Sequence, residues 1–312
     1  MSILVDETTR VLVQGITGRQ GRYHTQKMLE CGVQVLAGVS PGKGGQEVCG
    51  VPVYDTAAQA VAAHPELNAS LVIVPPPVVL SSALNAIDAG LKLVVVITEF
   101  VPVQDSLRYV TAARERGVTI VGPNTIGVIS PGKGKIGVMP GYIYKPGHIG
   151  VVSRSGTLTH EMSSNLSFAG FGQSTCVGIG GDPICGLTHT EALALFRDDP
   201  DTQAVVLIGE IGGSSEEDAA RYLRESGYPK PVFAYIAGAQ APEGAKMGHA
   251  GAIVSGGTGT AQGKIRCLRQ AGVQVGETTG RILELIRAAN EKMGGALATV
   301  EPITDTWEMR TP

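Results

Sequence analysis

The chain has 312 residues, room for two domains of roughly 150 residues each, and 43 of them are glycine, about twice the usual share. Its formal net charge of −3 argues against a strongly basic surface, so neither nucleic acid nor a membrane is expected as a main partner. The five cysteines include no Cys-x-x-Cys pair, which argues against a disulfide framework or a metal site and favours a reducing compartment. No secretory signal is recognised, so we expect a cytoplasmic protein, or a mitochondrial matrix protein if a precursor was trimmed.

Short apolar runs alternate with amphipathic stretches through the first half of the chain. The apolar runs predict buried strands at 10–15, 33–39, 70–75, 93–99 and 118–122. Helices are predicted between them, at 21–31, 56–64, 79–90 and 104–116. This alternation favours a doubly wound parallel sheet, so we expect a Rossmann-like α/β domain over residues 1–130.

A second α/β series follows a segment rich in glycine and proline, 131–148, which we interpret as a linker with room for a hairpin. The second domain, 149–292, is expected to be a flavodoxin-like, doubly wound parallel sheet. Its predicted strands are 149–153, 174–179, 203–209, 231–236, 251–254 and 273–276, and its predicted helices are 156–168, 188–197, 215–225, 258–271 and 279–292. Ser214 and Glu217 have the spacing of a capping box. The tail, 293–312, has no period and is expected to be disordered or to dock on a partner.

A glycine-rich turn follows the first predicted strand. Gly15, Gly18 and Gly21 are spaced by three residues, which lets the backbone turn sharply and approach a phosphate at the start of the next helix. The spacing differs from the Gly-x-Gly-x-x-Gly of dinucleotide-binding folds. A plain tight turn is therefore the alternative interpretation.

The loop after the second predicted strand carries a lysine where NAD-binding folds place an acid. The segment from Val39 to Gly45 contains no Asp or Glu to hold the ribose hydroxyls of NAD, and it contains Lys43. A cation here suits an additional phosphate, such as the 3′-phosphate of coenzyme A (CoA) or the 2′-phosphate of NADP. A solvated loop lysine is the alternative.

A second candidate site combines three segments of the second half. His249 lies among small residues that let other groups reach its imidazole. Glu210 follows the strand predicted at 203–209, at the edge where a parallel sheet binds ligands, and its carboxylate can fix the imidazole tautomer. Ser155 and Thr157 lie at the start of a predicted helix whose N–H groups suit an anion.

These three segments are the parts that a phosphohistidine site needs: a nucleophile, an orienting carboxylate and an anion-binding helix start. The alternatives are a structural histidine, a solvated carboxylate and simple N-capping. The sequence contains no Walker A segment, so a phosphoryl donor is expected to bind on a partner chain.

With these residues assembled, the chain resembles the α subunit of the succinate–CoA ligases (succinyl-CoA synthetases) over roughly residues 1–290. The matching segments are QGITGRQG at 14–21, GVSPGKGG at 38–45, ITE at 97–99, GPN at 122–124, SRSGTLT at 153–159, GFGQSTCVGIGGDPI at 170–184, IGEIGG at 208–213 and MGHAGAI at 247–253. The resemblance implies an αβ or α₂β₂ enzyme of the tricarboxylic acid cycle, whose ATP-grasp β subunit binds Mg²⁺ and ATP or GTP.

The resemblance also implies the chemistry and the residues that carry it. Nucleotide phosphorylates His249, whose carboxylate partner is Glu210, and the phosphoryl group passes to a carboxylic acid, from which the CoA thiol then displaces phosphate. The phosphate is received by Ser155, Gly156 and Thr157. The residues implied to hold CoA are Thr17, Gly18, Arg19, Gln20, Lys43, Ile97, Thr98 and Glu99.

Three departures from the family pattern lie near the acid site, to which His160, Asn124 and Thr125 are assigned by resemblance. His160 replaces the usual tyrosine, Thr125 and Ile126 replace a cysteine and a small residue or proline, and Phe100 replaces a glycine. These changes alter the shape and charge of the pocket. An acid other than succinate, or a broader range, is therefore a hypothesis, with malate, itaconate, citrate and a sulfonated analogue as the candidates.

Two functions of other classes fit parts of the pattern. An NADP-linked oxidoreductase would use the same glycine-rich turn and Lys43, but it would not need a phosphorylated histidine. A non-catalytic CoA-binding regulator would keep residues 14–45 without needing both His249 and Glu210.

Overall fold

The first domain is built on a seven-stranded sheet with helices on its faces. The computed structural model describes residues 2–240, 248–249, 251–254 and 259–299. The first sheet contains β1 Arg10–Gln14, β2 Gln34–Val39, β3 Glu47–Val48, β4 Val51–Tyr54, β5 Ala69–Val72, β6 Leu93–Val96 and β7 Thr119–Val121, in the order β3-β4-β2-β1-β5-β6-β7. Its helices are α1 Arg19–Glu30, α2 Ala57–Ala63, α3 Val79–Asp88 and α4 Val103–Glu115.

All the strand pairs of this sheet are parallel except β3 with β4. The central strand β1 is apolar because it is covered on both faces, and Val11, Leu12 and Val13 are fully buried. The strand order reverses at β1, with β2 on one side and β5 on the other. In an open α/β sheet the ligand crevice lies at the carboxyl ends of the strands at such a reversal.

The second domain repeats this architecture with a second seven-stranded sheet, in the order β14-β13-β12-β10-β11-β8-β9. Its strands are β8 Gly127–Ser130, β9 Gly134–Gly137, β10 Pro146–Ser153, β11 Gln173–Gly178, β12 Ala204–Glu210, β13 Val232–Ala237 and β14 Gln274–Gly276. Its helices are α5 Gly156–Phe168, α6 His189–Asp198, α7 Ser215–Glu225, α8 Ala261–Gln270 and α9 Thr279–Lys292. The prediction of two doubly wound α/β domains is confirmed.

The segment 131–148 differs from the linker that its composition suggests. It contains β9 and the start of β10, and the β8–β9 hairpin extends the second sheet by antiparallel pairing of β8 with β11. Pro131 and Gly132 lie in the tight turn between β8 and β9, and Gly132 has a φ of +77°. The second sheet therefore begins at Gly127, within the range expected for the first domain.

Two local predictions in the second domain are wrong. Residues 251–254 form no strand, because Gly251 and Ile253 pack as irregular backbone against Gly212. The capping box is absent at Ser214, whose side chain caps no helix N–H. Glu217 does not reach back to Ser214, because its Oε2 atom is directed toward the buried Lys264, 3.9 Å from its Nζ atom. A complete capping box occurs at Thr188, at the start of α6.

The first part of the predicted tail docks on its own domain. Leu297 is fully buried in the hydrophobic core that contains α5 and α9, and the N–H of Thr299 donates to the carbonyl of Gly170 at 3.1 Å. Residues 300–312, the remainder of the predicted tail, lie outside the described residues. None of the described helices has the length and apolar character needed to cross a lipid bilayer.

Candidate active site

The centre of the site is a histidine held by a carboxylate. Glu210 is the last residue of β12, and its Oε2 atom lies 2.6 Å from Nδ1 of His249. Because an ionised carboxylate can only accept a hydrogen bond, the Nδ1 atom carries the proton and donates it to Glu210. The Nε2 atom of the neutral imidazole is then left with the lone pair that a nucleophile needs.

The neighbouring carboxylate and burial set the pKa of His249. The hydrogen bond to Glu210 raises the pKa of His249, and this effect exceeds the opposing effect of burial. The Glu210 side chain is only 7% exposed, whereas the His249 side chain is 26% exposed. The carboxylate is therefore shielded from water, while the imidazole remains open to a reactant.

Arg154 lies on the other side of the carboxylate. Its Nε atom lies 3.3 Å from Oε1 of Glu210, and its guanidinium also donates to the carbonyl oxygens of Gly180 and Asp182. The arginine side chain is only 9% exposed. It therefore balances the charge of Glu210 and fixes the loop after β11. The sequence analysis included Arg154 only as part of a matching segment, although its place directly after β10 was a usable signal.

A glycine makes space for the histidine ring. A Cβ atom at Gly181 would lie 2.6 Å from Cγ and Cδ2 of His249, closer than real side-chain contacts allow. The ring therefore packs against the bare backbone of the loop after β11. This packing supports the ring orientation that Glu210 sets from the other side.

The start of α5 lies on the same sheet edge. Ser155 Oγ accepts a hydrogen bond from the N–H of Leu158 at 3.3 Å, so the serine is an N-cap. Gly156 is the first helical residue, and Thr157 is exposed. The pairing of β10 with β12 fixes the start of α5 relative to Glu210, since the N–H of Arg154 donates to the carbonyl of Ile208, two residues before Glu210.

In the first domain the structure joins the glycine-rich turn to the lysine loop. Lys43 Nζ donates to Thr17 Oγ1 at 3.2 Å, and that hydroxyl donates to Ser40 Oγ at 3.0 Å. Gly18 caps α1 without a side-chain hydrogen bond, so the first N–H groups of this helix suit an anion. Gly18, Arg19, Gln20 and Lys43 are all exposed.

The remaining residues of the expected CoA site follow β6. Thr98 Oγ1 donates to the carbonyl of Val74 at 2.6 Å, and the Thr98 carbonyl accepts from the N–H of Asn124 at 2.9 Å. Ile97 is half-buried, and Glu99 is exposed. This segment shares the carboxyl edge of the first sheet with the glycine-rich turn.

The three candidate acid-binding residues have partners inside the protein. Asn124 Nδ2 donates to Asp182 Oδ1 at 3.1 Å. The Thr125 hydroxyl donates to the carbonyl of Gly178, and His160 Nδ1 lies 2.6 Å from the Tyr144 hydroxyl. Asn124 and Thr125 adjoin the loop after β11 that packs on His249, whereas the contact with Tyr144 holds His160 against the segment before β10.

Asp182 is a residue of this site that the sequence analysis did not single out. It is 4% exposed, and burial raises the pKa of its carboxyl. Its side chain pairs with Asn124 and its carbonyl accepts from Arg154, so it connects the turn after β7 to the His249–Glu210 pair. Its buried position is a tertiary feature that the segment Gly-Gly-Asp-Pro did not reveal.

The comparisons with known proteins agree with this division into two sites. Residues 6–100 match the family described as the CoA binding domain, and residues 152–274 match the CoA-ligase family. The fold and these two matches define the class as a CoA-binding ligase. These matches favour neither an oxidoreductase nor a non-catalytic regulator.

Relatives of nearly full length identify the family. The chain is 54% identical over 286 residues to the ADP-forming succinate–CoA ligase subunit alpha 2 of Archaeoglobus fulgidus, covering 92% of this chain and 99% of that protein. It is 50% identical over 301 residues to the ADP-forming succinate–CoA ligase subunit alpha of Aquifex aeolicus, covering 94% and 98%. The chain belongs to the family of succinate–CoA ligase α subunits.

Solved structures share the fold over most or all of the chain. The ATP citrate lyase of Methanothrix soehngenii, solved with citrate and CoA, is 25% identical and superposes with a TM-score of 0.85 over 99% of this chain. This chain spans 56% of that one. A dinucleotide-forming acetyl-coenzyme A synthetase of Ca. Korarchaeum cryptofilum is 19% identical and superposes with a TM-score of 0.69. The match covers 86% of this chain and 58% of that chain, and it shows that the two share the fold.

Proposed function

We propose that this chain, with a nucleotide-binding β subunit, joins a dicarboxylic acid to CoA through a phosphorylated His249. The observation that carries the proposal is the 2.6 Å contact between Nδ1 of His249 and Glu210, which leaves Nε2 as the nucleophile. The relatives named as ADP-forming succinate–CoA ligase subunits support ATP as the phosphoryl donor and succinate as the acid.

The proposed reaction has three displacement steps. The Nε2 lone pair attacks the γ-phosphorus of ATP, the bond to ADP breaks, and Nδ1 keeps its proton toward Glu210. A carboxylate oxygen of the acid then attacks the phosphorus, and the N–P bond breaks to give an acyl phosphate. The CoA thiolate attacks the acyl carbon, phosphate leaves with its oxygen, and the thiol proton passes to solvent. Mg²⁺ on the β subunit would neutralise the charge of the nucleotide phosphates.

The start of α5 is the proposed site for the transferred phosphoryl group. Gly156 and Thr157 present the first turn of a 13-residue helix, whose N–H groups stabilise negative charge. Ser155 uses its hydroxyl for capping, so its proposed contribution is through the backbone. Arg154 adds a fixed positive charge beside Glu210.

CoA is proposed to lie along the carboxyl edge of the first sheet. Thr17, Gly18, Arg19 and Gln20 would hold its phosphates through the start of α1, and Lys43 would pair with its 3′-phosphate. Ile97, Thr98 and Glu99 would line the path of the remaining chain toward the second domain. The contact of Thr98 with the N–H of Asn124 supports this path.

The proposed acid site lies at the turn after β7. Asn124 and Thr125 contact the end of β11 and the loop after it, and these inward contacts with Gly178 and Asp182 would shape the pocket. His160 would act on the pocket only if its imidazole left Tyr144. We propose succinate as the principal acid because the relatives of nearly full length are named for it, with the changes at Ile126 and at the exposed Phe100 broadening the range.

A labelling experiment tests the proposed function. The chain is mixed with its β subunit and ATP labelled at the γ-phosphate, and label on the α chain should be acid-labile and base-stable. His249→Asn should abolish it, whereas His64→Asn, in the first domain against Tyr54, should keep it. A wild-type pair that takes no label from ATP or GTP would disprove the proposal.

Kinetics on a panel of acids test the substrate. Succinate, malate, itaconate, citrate and a sulfonated succinate analogue are compared by kcat/KM. The highest value for succinate would support the principal assignment, and a higher value for any other acid would replace it.

Two further experiments test the assembly and the location. Light scattering on the purified pair would distinguish an αβ from an α₂β₂ assembly, and fractionation of cells would test the expected cytoplasmic location.

A further inference from the structure

A buried ion pair lies behind the catalytic pair. Lys264 of α8 and Glu216 of α7 both have side chains with no exposed surface, and Lys264 Nζ contacts Glu216 Oε2 directly. Two charged side chains are rarely removed from water unless each is paired and hydrogen-bonded, because isolated burial of a charge is costly. The proposed chemistry uses neither residue, so their position needs another reason.

Glu216 is tied to the backbone of Glu210. Its Oε1 atom accepts the N–H of Glu210 at 3.1 Å, while its Oε2 atom faces Lys264. The approach is close, since a Cβ atom at Gly209 would lie 2.5 Å from Cγ of Glu216. The end of β12, and with it the carboxylate that holds His249, is thus fixed from behind.

Lys264 is tied to the loop that supports the histidine segment. Its Nζ atom donates to the carbonyl of Gly212 at 2.6 Å. Gly212 packs so closely on the histidine segment that a Cβ atom there would lie 2.7 Å from the N–H nitrogen of Ile253 and clash with the carbonyl of Gly251. One ion pair therefore contacts both supports of the His249–Glu210 pair.

We propose that Glu216 and Lys264 are positioning residues that hold Glu210 and the histidine segment at the separation required for phosphoryl transfer. The inference rests on the proposed function of His249. A pair with only a structural role would affect the folded fraction. A positioning pair affects the chemistry and titration of His249 in the folded protein as well.

The neighbouring charges define suitable controls. Glu217 lies next to Glu216, and its Oε2 atom is 3.9 Å from the same Lys264 nitrogen, but Glu210 takes its backbone acceptor from Glu216. His189 is fully buried beside Ser215, and burial lowers its pKa, so it is a neutral neighbour. Glu217→Gln is thus a matched variant that removes an adjacent charge without touching the tie to Glu210.

The test compares two variants with the Glu217→Gln control, all in the full chain. Glu216→Gln keeps the shape but removes the charge that faces Lys264. The double variant Glu216→Gln with Lys264→Met removes both charges together, so no buried charge is left unpaired and folding is protected. Thermal unfolding of each variant gives the folded fraction against which the other readouts are corrected.

The first readout is the rate of His249 phosphorylation in the complex with the β subunit. We expect Glu216→Gln and the double variant to lower kcat by at least about tenfold, since displacements near 1 Å at a reacting group cost rates of this order or more. The KM for ATP should stay unchanged, because the nucleotide binds on the β subunit. Glu217→Gln should keep the wild-type rate.

The second readout is the pH titration of the His249 ring by NMR in the chain without nucleotide, assigned with His249→Asn. Loosening of Glu210 should move the midpoint of His249 downward in the first two variants, and the Glu217→Gln midpoint should match wild type. A folded double variant with wild-type kcat and midpoint would overturn the proposal. Losses that only follow the folded fraction would also overturn it.

This titration separates the two proposals. A wild-type pair that takes no label disproves the phosphohistidine function, whereas the midpoint of His249 still reports whether Glu216 and Lys264 hold Glu210. Conversely, labelled wild type with unaffected variants leaves the function intact and removes only the positioning role.

Discussion

The contact between His249 and Glu210 sets the proton balance of the proposed nucleophile. The carboxylate raises the pKa of the imidazole, whereas burial and Arg154 oppose this effect. The protonated ring is therefore favoured over a wider pH range than for a free histidine, whose pKa is about 6.5. Since only the neutral ring has a lone pair on Nε2, the proposed phosphorylation is favoured as the pH rises above this raised pKa.

The rate of His249 phosphorylation should therefore fall with decreasing pH, with a midpoint above that of a free histidine. Glu210→Gln should move this limb to lower pH, because the neutral amide no longer stabilises the imidazolium. It should also lower the plateau rate by about a hundredfold, since the ring loses its orientation. Single-turnover labelling from pH 5.5 to 9 measures both effects.

Glu66→Gln, an exposed change in the first domain, is the control for this profile and should leave it unchanged. An unaltered limb in Glu210→Gln would contradict the role of the carboxylate.

The raised pKa of His249 also makes the stability of the fold depend on pH. The contribution of the imidazolium–carboxylate pair is complete below the unfolded pKa of histidine and is lost as the pH rises through the folded value.

Lys43 should discriminate between CoA and its dephosphorylated form. Its ammonium is exposed and held near Thr17, which suits a single charge-assisted contact to a 3′-phosphate. Lys43→Ala should weaken CoA binding by about tenfold, the effect of losing roughly 1.4 kcal/mol, and leave dephospho-CoA binding unchanged. Titration calorimetry measures both ligands.

Lys92→Ala is the matched control, because Lys92 is also exposed but precedes β6 at the opposite, amino end of the strand. It should bind both ligands as the wild type does. Equal losses of CoA and dephospho-CoA in Lys43→Ala would place the 3′-phosphate elsewhere.

At the scale of the elements, the loop after β11 packs directly against the His249 ring. Gly181→Ala should push the His249 ring away from Glu210, since the added Cβ would lie 2.6 Å from ring atoms. We expect loss of most phosphorylation and a downward shift of the His249 titration midpoint, with only a small change in the unfolding temperature. Labelling, NMR and thermal unfolding measure these effects.

Gly280→Ala supplies the comparison, because Gly280 lies in the first turn of α9 with an open neighbourhood. It should keep full activity and slightly raise stability, as expected for alanine in a helix. Normal labelling of Gly181→Ala would show that the ring does not need this packing.

The strands and helices that were predicted correctly are those with a strong local signal. The runs at 10–15 and 93–99 contain the observed β1 and β6, and the helix predicted at 279–292 has the observed bounds. The run at 251–254 failed because it packs on a loop and joins no sheet, with Ala252 buried and Ile253 exposed. An apolar run in the sequence predicts burial, but it does not predict whether the run packs in a sheet or against a loop.

The same reasoning explains which parts of the site were predictable. Glu210 was expected to meet His249 because carboxyl ends of parallel strands gather at one edge, and the structure brings the two side chains together. Lys264 and Glu216 lie 48 residues apart in sequence, and charged side chains usually signal an exposed face. Their burial depends on the packing of α7 against α8, which no local pattern encodes.

At the scale of the whole molecule, the chain continues its core beyond α9. Leu297 is fully buried, and its N–H donates to Asn290 Oδ1 at 2.8 Å. Leu297→Ala should lower the free energy of unfolding by about 2–5 kcal/mol, the usual cost of such a cavity. Denaturant unfolding measures the change, and Ala296→Ser, at an exposed neighbour, should be close to wild type.

A wild-type unfolding free energy in Leu297→Ala would mean that the segment after α9 does not pack in solution. The proposed activity should persist in the folded variant, because Leu297 packs with α5 and α9 on the face of the second sheet and not at its carboxyl edge.

The second sheet begins at Gly127, only a few residues after the turn that carries Asn124 and Thr125. These two side chains already reach into the second domain, to Asp182 and Gly178. The seam between the domains and the proposed acid pocket are thus one piece of chain. A chimaera of two family members would keep this turn together with its partners Asp182 and Gly178 only if the crossover point lay upstream of the turn. Exchange of whole domains during evolution would therefore separate these contacts and change the acid preference.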